Sequence, residues 1–219
     1  MRKNANIFYF GTYGFPIGYA QIERQKLISK GLIAQGCNMT IISRYGIHVD
    51  KTNAAELEKG IYEGIHFRYA SGSPYRPDSF LKRTLLKFMG VWNELQMIRR
   101  QKKNGGLDYM IISTNTFYNI LVYRFFSWLT GVPTLLDTVE HWTSFGNFKN
   151  EKWFTRNDNY LYDYKSAKYV TKVLCISDFL MEFTHKVAPH KPTLKVPAIV
   201  DYSKFKTEKK IGEKYLLYC

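Results

Sequence analysis

The stretch that decides the fold is Ile7-Phe8-Tyr9-Phe10-Gly11, an apolar and aromatic run of strand length. A loop with two glycines and a proline follows over residues 12–18, and apolar residues then recur at helical spacing until Gly36. This order of strand, glycine loop and helix is typical of the start of an open α/β sheet. Ligands, anionic ones especially, bind at such a loop because free backbone N–H groups and the helix dipole favour negative charge. We therefore expect substrate at this loop.

The loop matches neither of the common nucleotide-binding fingerprints. A Walker A loop has Lys and then Ser or Thr after its last glycine, whereas Tyr19 and Ala20 follow Gly18. The dinucleotide pattern G-x-G-x-x-G is absent as well. Taken alone, the loop is equally consistent with a simple tight turn.

Size and composition predict a folded, soluble or peripheral protein. The 219 residues are 45% apolar and 16% aromatic, which is enough for a well-packed core. No signal peptide is expected, since the first apolar run is short. The most apolar later stretch, residues 117–136, is interrupted by Arg124 and Pro133 and is not expected to span a membrane.

The three cysteines are widely spaced and form no C-x-x-C pair. They are Cys37, Cys175 and Cys219. This usage is typical of a reducing compartment, and it predicts buried thiols rather than a metal site.

The chain is strongly basic, with 32 Lys and Arg residues against 18 Asp and Glu residues and a formal charge of +14. Such a charge suits nucleic acid, an anionic membrane or a polyanionic substrate. The sequence has no helix-turn-helix, zinc finger or RNP-like aromatic motif, so we expect no nucleic acid partner.

Beyond the first helix, strands alternate with helices. Strands are predicted at residues 39–43, 64–70, 107–113, 134–139, 172–176 and 194–197, and helices at residues 79–104, 114–130, 160–168 and 179–186. Ser177 and Asp178 are expected to cap the last helix. The order predicts an α/β fold with a doubly wound, mostly parallel sheet and ligands at the carboxyl ends of its strands.

The helix at residues 79–104 has one apolar, aromatic face and many basic residues. Its candidate membrane-docking residues are Lys82, Arg83, Lys87, Phe88 and Trp92. An ordinary amphipathic helix with solvated lysines on a sheet explains the pattern. A basic aromatic helix that docks on an anionic membrane surface explains it too, and both interpretations stay open.

Several motifs, each weak by itself, follow one another along the chain in an order that is informative. The first motif consists of the glycine loop ending at Gly18, the helix after it, and the turn and strand over residues 35–42. The second motif consists of the strands at residues 107–112 and 131–136. A serine-bearing strand end, residues 173–178, precedes residues 196–201 and Phe205. Together they resemble the N-terminal domain of the family-4 retaining glycosyltransferases, whose GT-B fold has two Rossmann-like domains facing a cleft. Ala198-Ile199 replaces the usual Asn-Gly of the family's Pro-Asn-Gly-Val-Asp signature.

The resemblance implies that residues 1–205 form a Rossmann-like acceptor-binding domain. Residues 206–219 would be a linker and the first strand of a truncated donor-binding domain, with Tyr215-Leu216-Leu217-Tyr218-Cys219 as that strand. Without its C-terminal domain, this piece is expected to fold but not to transfer sugar.

The same resemblance implies the partners. The donor would be a nucleotide-diphosphate sugar, used without cofactor or metal, and the acceptor a carbohydrate or a lipid-linked molecule of surface polysaccharide or glycolipid synthesis. Many members of the family act at the inner leaflet, so the expected location is cytoplasmic or peripheral on the inner face of the membrane. The alternative function is a stand-alone Rossmann-like binding module for a nucleotide or phosphorylated ligand.

By resemblance, His141 is the candidate catalytic residue, because the family often has a histidine near the reacting sugar. An imidazole there can hydrogen-bond a hydroxyl and exchange a proton near neutral pH. Gly18 and Tyr19 at the loop and Glu140 beside the histidine are the candidate substrate-binding residues. Two other interpretations remain open: a surface-loop histidine beside Trp142, and a capping or solvated role for Glu140.

Overall fold

The computed structural model describes residues 4–18, 20–46, 58–145 and 148–201, with the backbone alone at Thr12 and Tyr13. The strands are β1 (Asn6–Tyr13), β2 (Asn38–Tyr45), β3 (Lys59–Tyr62), β4 (Ile65–Tyr69), β5 (Tyr109–Ser113), β6 (Thr134–Thr138), β7 (Lys172–Cys175) and β8 (Thr193–Lys195). The helices are α1 (Ala20–Ala34), α2 (Phe80–Asn104), α3 (Phe117–Thr130), α4 (Trp153–Tyr169) and α5 (Asp178–Val187). Two single-turn 3-10 helices, Trp142–Ser144 and Phe148–Asn150, follow β6.

The strands form one sheet in the order β3-β4-β2-β1-β5-β6-β7-β8. All neighbouring pairs are parallel except β3 and β4, which are antiparallel. The predicted α/β class, a Rossmann-like doubly wound and mostly parallel sheet, is confirmed. Strand order reverses between β1 and β5, and this switch point is where open α/β sheets bind ligands.

The core lies on both faces of the sheet because successive residues of each strand point to opposite faces. On β1, Phe10 belongs to the apolar cluster beneath α2, α3, α4 and α5, whereas Tyr9 belongs to the cluster beneath α1. Both side chains are fully buried. Two-sided burial explains the continuous apolar run that marks β1 in the sequence.

β3 is an element that the sequence analysis missed. It lies inside a polar stretch, and its four residues alternate between exposed and half-buried positions at the edge of the sheet. A two-residue turn joins it to β4, and Glu63 and Gly64 both have positive φ there (48° and 81°). Edge strands are short and polar in natural sheets, which weakens their sequence signal.

α4 begins at Trp153, seven residues before the prediction. The residues that it buries are mostly polar: Asp158, Asn159, Tyr162, Asp163, Ser166 and Ala167. Because the buried face is polar, the apolar periodicity that identifies a helix is absent from its first turns.

Other expectations have mixed outcomes. Ser177 caps α5 as predicted, since its side-chain oxygen accepts a hydrogen bond from the Leu180 N–H. Cys37 and Cys175 are buried free thiols. Cys219, the strand at residues 215–219 and the domain boundary at residue 205 lie outside the described residues. No helix in the described part of the chain is both long and apolar enough to cross a membrane.

Candidate functional site at the carboxyl edge of the sheet

The glycine loop between β1 and α1 is held in place by the core. Gly14 has a φ of 100°, and the Ile17 N–H donates to its carbonyl over 3.1 Å. Phe15 is fully buried, and its carbonyl accepts a 2.6 Å hydrogen bond from the Tyr69 hydroxyl. The loop therefore presents a fixed backbone at the switch point.

Gly18, a candidate substrate-binding residue, stands at the end of this loop. A Cβ at Gly18 would lie 2.5 Å from Cγ1 of Ile22, so the glycine is required for packing against the first turn of α1. Tyr19, the neighbouring candidate, lies outside the described residues.

Gln25 is a site residue that the sequence did not indicate. Its side chain is 1% exposed, and neither amide atom has a hydrogen-bond partner within the described residues. The amide lies directly over Gly11 at the end of β1, where a Cβ would be 2.2 Å from Nε2. Buried amides are normally paired, so Gln25 is an unused donor and acceptor next to the glycine loop. Apolar periodicity cannot reveal it, since glutamine is a common exposed helix residue.

Arg24 and Asp137 form a buried ion pair that links α1 to β6. The guanidinium contacts both carboxylate oxygens over 2.9–3.2 Å, and the Tyr9 hydroxyl donates to the same carboxylate over 2.6 Å. Burial, and then the Asp137 charge, raises the pKa of Tyr9 well above its usual value, so its proton stays in this hydrogen bond. Arg24 also donates to the carbonyls of Val196 and Pro197. One side chain therefore fixes the chain segment that follows β8.

His141, the candidate catalytic residue, lies just past β6 and is only 10% exposed at its side chain. Its Nδ1 is 2.7 Å from the Ser144 hydroxyl and 3.7 Å from the Asp163 carboxylate. The ring packs edge-on against Phe179 and Phe183 of α5, with centroids 5.3 and 4.2 Å away. This enclosed setting contradicts the interpretation of His141 as a surface-loop histidine.

The loop that carries His141 is positioned by Asp163 of α4. The Asp163 carboxylate accepts the backbone N–H groups of Trp142 and Thr143 over 3.2 and 2.7 Å. Asp163 was not predicted, because it lies on a helix twenty residues away and only the fold brings it here.

Two polar atoms near His141 lack partners. The Nε2 of His141 and the hydroxyl of Ser166 are buried and make no hydrogen bond within the described residues. Both residues line a cavity of about 20 Å³ together with Glu140. Its size suits one water molecule or one hydroxyl group, the kind of partner that buried polar atoms need. Glu140 itself is half-buried and makes no ion pair in the described part of the chain.

These groups share one edge of the sheet. The glycine loop follows β1, whereas Glu140 and His141 follow β6, and β5 alone separates those two strands. Two strand spacings correspond to roughly 10 Å. At the end of β5, the Ser113 hydroxyl accepts a 2.9 Å hydrogen bond from the Gln21 amide. The carboxyl edge thus carries polar groups of three neighbouring strands, from the glycine loop to the histidine.

The first half of α2 exposes most of its apolar side chains, although Gly90 packs closely on Arg44 of β2. Its exposed apolar residues are Phe80, Leu81, Leu85, Phe88, Met89 and Trp92. Lys82 and Lys87 are exposed and Arg83 is half-buried. Arg83 and Lys87 line a cavity beside Tyr45, whereas Phe88 and Trp92 line a groove against α3. Only the second half, with Leu95 and Ile98, contributes large buried apolar side chains. Residues 80–92 therefore combine contacts with β2 and exposed apolar side chains, and docking on a membrane stays a prediction.

α3 extends this surface. It exposes the apolar side chains Tyr118, Leu121, Phe125, Trp128 and Leu129. Between α2 and α3 lies an apolar groove of about 540 Å³, whose walls include Phe88, Trp92, Leu121 and Phe125. Exposed apolar surface of this extent is typical of an interaction site.

The described residues contain no group of three or more His, Cys, Asp and Glu side chains that could hold a metal ion. The polar groups at the carboxyl edge are instead hydrogen-bonding side chains and backbone N–H groups.

Sequence comparison finds no protein-family model and no curated protein that matches the chain. Solved structures do match its fold. UGT2 of Phytolacca americana, complexed with UDP-2-fluoro-glucose and pterostilbene, has a TM-score of 0.60 at 8% identity, over 92% of this chain and 55% of that one. Sucrose-phosphate synthase of Thermosynechococcus elongatus has a TM-score of 0.58 at 11% identity, over 89% of this chain and 48% of that one.

A UGT transferase of Siraitia grosvenorii in complex with UDP has a TM-score of 0.55 at 11% identity, over 90% of this chain and 52% of that one. This chain therefore spans about half the length of the structures that it matches. These likenesses establish the fold, which is one Rossmann-like half of a GT-B glycosyltransferase fold.

Proposed function

We propose that this chain is the N-terminal, acceptor-binding half of a nucleotide-sugar-dependent glycosyltransferase of the retaining, family-4-like kind. The observation that supports the proposal is the sheet topology: the glycine loop follows β1 at the switch point, and His141 follows β6 at the same edge of a sheet that matches one half of a GT-B fold. UGT2 of Phytolacca americana holds a UDP-sugar and an acceptor in its complex. By analogy, the partners of this chain are a nucleotide-diphosphate sugar and a carbohydrate or lipid-linked acceptor, and a donor-binding domain completes the cleft.

The roles follow from the geometry. The fixed backbone at Gly14 and Gly18 and the unpaired amide of Gln25 would hydrogen-bond substrate. His141, oriented through Ser144 and the Asp163 loop, would contact the reacting hydroxyl. Preorganised donors at such an edge stabilise the charge that develops on the leaving phosphate without a metal.

We propose further that the α2 and α3 surface docks on an anionic bilayer. Apolar side chains with Lys82, Arg83 and Lys87 beside them match a bilayer in both respects, since lipid tails take the apolar groups and anionic headgroups the cations. The +14 charge of the chain acts in the same direction. A cytoplasmic enzyme, peripheral on the inner membrane face and active in surface polysaccharide or glycolipid synthesis, would use such a surface.

The test of the function is sugar transfer by the intact gene product. Wild type and His141→Ala would be incubated with nucleotide-diphosphate sugars and candidate acceptors, and release of nucleoside diphosphate and the anomeric configuration of the product measured. We expect transfer with retention, and a loss of about 10²- to 10⁴-fold in kcat for His141→Ala.

His190→Ala is the matched control. His190 follows the end of α5, is exposed, and makes no contact with the candidate site among the described residues. Unchanged kcat in His141→Ala, or transfer with inversion, would contradict the assigned role or mechanism. Absence of transfer with every donor would contradict the function itself.

A further inference from the structure

A second cavity, of about 450 Å³, lies at the carboxyl end of β2, where the first two turns of α2 pass the loop that precedes them. It will be called the α2 pocket. Its lining residues are Tyr45, Gly46, Tyr75, Arg76, Pro77, Phe80, Arg83, Thr84, Leu86 and Lys87. The candidate residues Gly18, Glu140 and His141 do not belong to this pocket.

The charges of the α2 pocket are all of one sign. Arg76, Arg83 and Lys87 line it, and no Asp or Glu among the described residues does so. None of the three cations forms an ion pair within the described residues. The Lys87 ammonium lies over the Tyr45 ring, 5.5 Å from its centroid. Three unpaired cations around one cavity repel each other and favour an anion between them.

The walls of the pocket are fixed by close packing. A Cβ at Gly46 would lie 1.8 Å from the carbonyl carbon of Pro74, so the two backbone segments touch. The Ser73 hydroxyl accepts the Tyr75 N–H over 3.1 Å. Arg44, which directly precedes Tyr45, forms a 2.9 Å ion pair with Glu94 of α2, and both side chains are at most 5% exposed. The cations are therefore held on rigid elements.

The position of the pocket connects it to both proposed surfaces. β2 ends at the same edge of the sheet as β1, β5 and β6, so the pocket lies on the edge that carries the glycine loop and His141. Phe80 lines the pocket and is also 71% exposed as part of the apolar surface of α2. A ligand with an anionic group in the pocket would thus have an apolar contact at Phe80, at the edge of the sheet that also carries the candidate site.

We infer that the α2 pocket binds the phosphate or diphosphate group of an amphipathic acceptor. Arginine forks and a lysine suit phosphate oxygens, to which they give short, charge-assisted hydrogen bonds. The inference rests on the proposed function, because it names the class of acceptor. It also requires that the pocket bind a phosphate group by itself, and this property is measurable without any transfer.

The experiment is calorimetric titration of the protein with inorganic pyrophosphate. We expect saturable binding that weakens by about tenfold or more in Arg76→Gln and in Arg83→Gln. Lys102→Gln and Lys103→Gln remove equal charge from the last turn of the same helix and should bind as wild type does. No binding by wild type, or equal losses in all four variants, would overturn the pocket.

A second arm separates the sources of phosphate. Vesicles of phosphatidylcholine with phosphatidate are titrated with and without saturating pyrophosphate. Competition, lost in Arg76→Gln but retained in Lys102→Gln, supports a lipid phosphate, because Arg76 lines the pocket and Lys102 does not. If pyrophosphate binds but does not compete with the vesicles, the proposal of an amphipathic acceptor is overturned in favour of a water-soluble phosphate ester.

Failure of the proposed function would give a different result from failure of the α2 pocket. It would appear as absence of sugar transfer in a protein that still binds pyrophosphate through Arg76 and Arg83.

Discussion

Arg24 links its own helix, α1, to two other parts of the molecule. It contacts Asp137 of β6 and the chain segment after β8. Asp137, its partner, is 1% exposed at its side chain. Removal of the guanidinium therefore leaves a buried carboxylate to which, among the described residues, only the Tyr9 hydroxyl donates. Breaking a buried ion pair from one side costs about 3–5 kcal/mol. We expect Arg24→Met to lower the free energy of unfolding by about that amount in urea denaturation.

The control is the double variant Arg24→Met/Asp137→Leu, which removes both charges. Replacement of both partners by apolar groups of similar volume is often neutral, so the double variant should recover much of the lost stability. A single variant that loses less than about 1 kcal/mol would show that water reaches the carboxylate.

A substitution at Gln25 is expected to change the free energy of unfolding in the opposite direction. Its amide is buried and unpaired, and an unsatisfied buried polar group costs about 1–3 kcal/mol. Gln25→Met keeps the length of the side chain and removes that cost, so the free energy of unfolding should rise by about 1 kcal/mol. Substrate affinity should fall if the amide makes the contact proposed for it, since Gln25→Met removes that contact. Destabilisation by Gln25→Met, measured in the same urea titration, would show that the amide is already satisfied.

α5 acts on the site as an element. Its cap, Ser177, accepts the Leu180 N–H, and the helix presents Phe179 and Phe183 to the His141 ring. Loss of such a cap costs about 1 kcal/mol. We expect Ser177→Ala to lower the free energy of unfolding by that amount and to reduce transfer through a less ordered His141. Ser177→Asp retains an acceptor and should match wild type, and equal stability of all three proteins would exclude the cap as a stabilising contact.

Elements with a regular apolar pattern could be predicted from the sequence, and elements with polar buried faces could not. β1 and β5 bury both faces and read as apolar runs, whereas α4 buries Asp158 and Asp163 and was placed too short. α1 was predicted from its apolar spacing, yet its buried residues include Arg24, Gln25 and Lys26. Polar burial depends on partners from distant strands, which local periodicity does not contain.

At the scale of the whole molecule, excess positive charge and exposed apolar surface occur together on α2. We expect the protein to sediment with vesicles that contain anionic lipid at low salt, and less at high salt, because headgroup attraction is screened. Each basic residue contributes about 1 kcal/mol, so replacing Lys82, Arg83 and Lys87 with Glu should weaken binding at least about hundredfold.

Arg100→Glu/Lys102→Glu/Lys103→Glu is the control for net charge, since it makes the same change at the far end of the helix. Phe88→Ser/Trp92→Ser removes apolar contact without a change in charge and should weaken binding at all salt concentrations. Equal loss of binding in both charge variants would indicate nonspecific attraction rather than docking through the surface of α2.

The sequence by itself determined the α/β class, the glycine loop, the position of His141 past a strand end and the basic aromatic character of α2, because each depends on local pattern or composition. Only the tertiary structure decided that Asp163 holds the histidine loop, that Gln25 lies unpaired over Gly11, and that Arg76, Arg83 and Lys87 surround one cavity. The physical reason is that these properties are distances between residues remote in sequence, and the packing of helices on the sheet sets those distances.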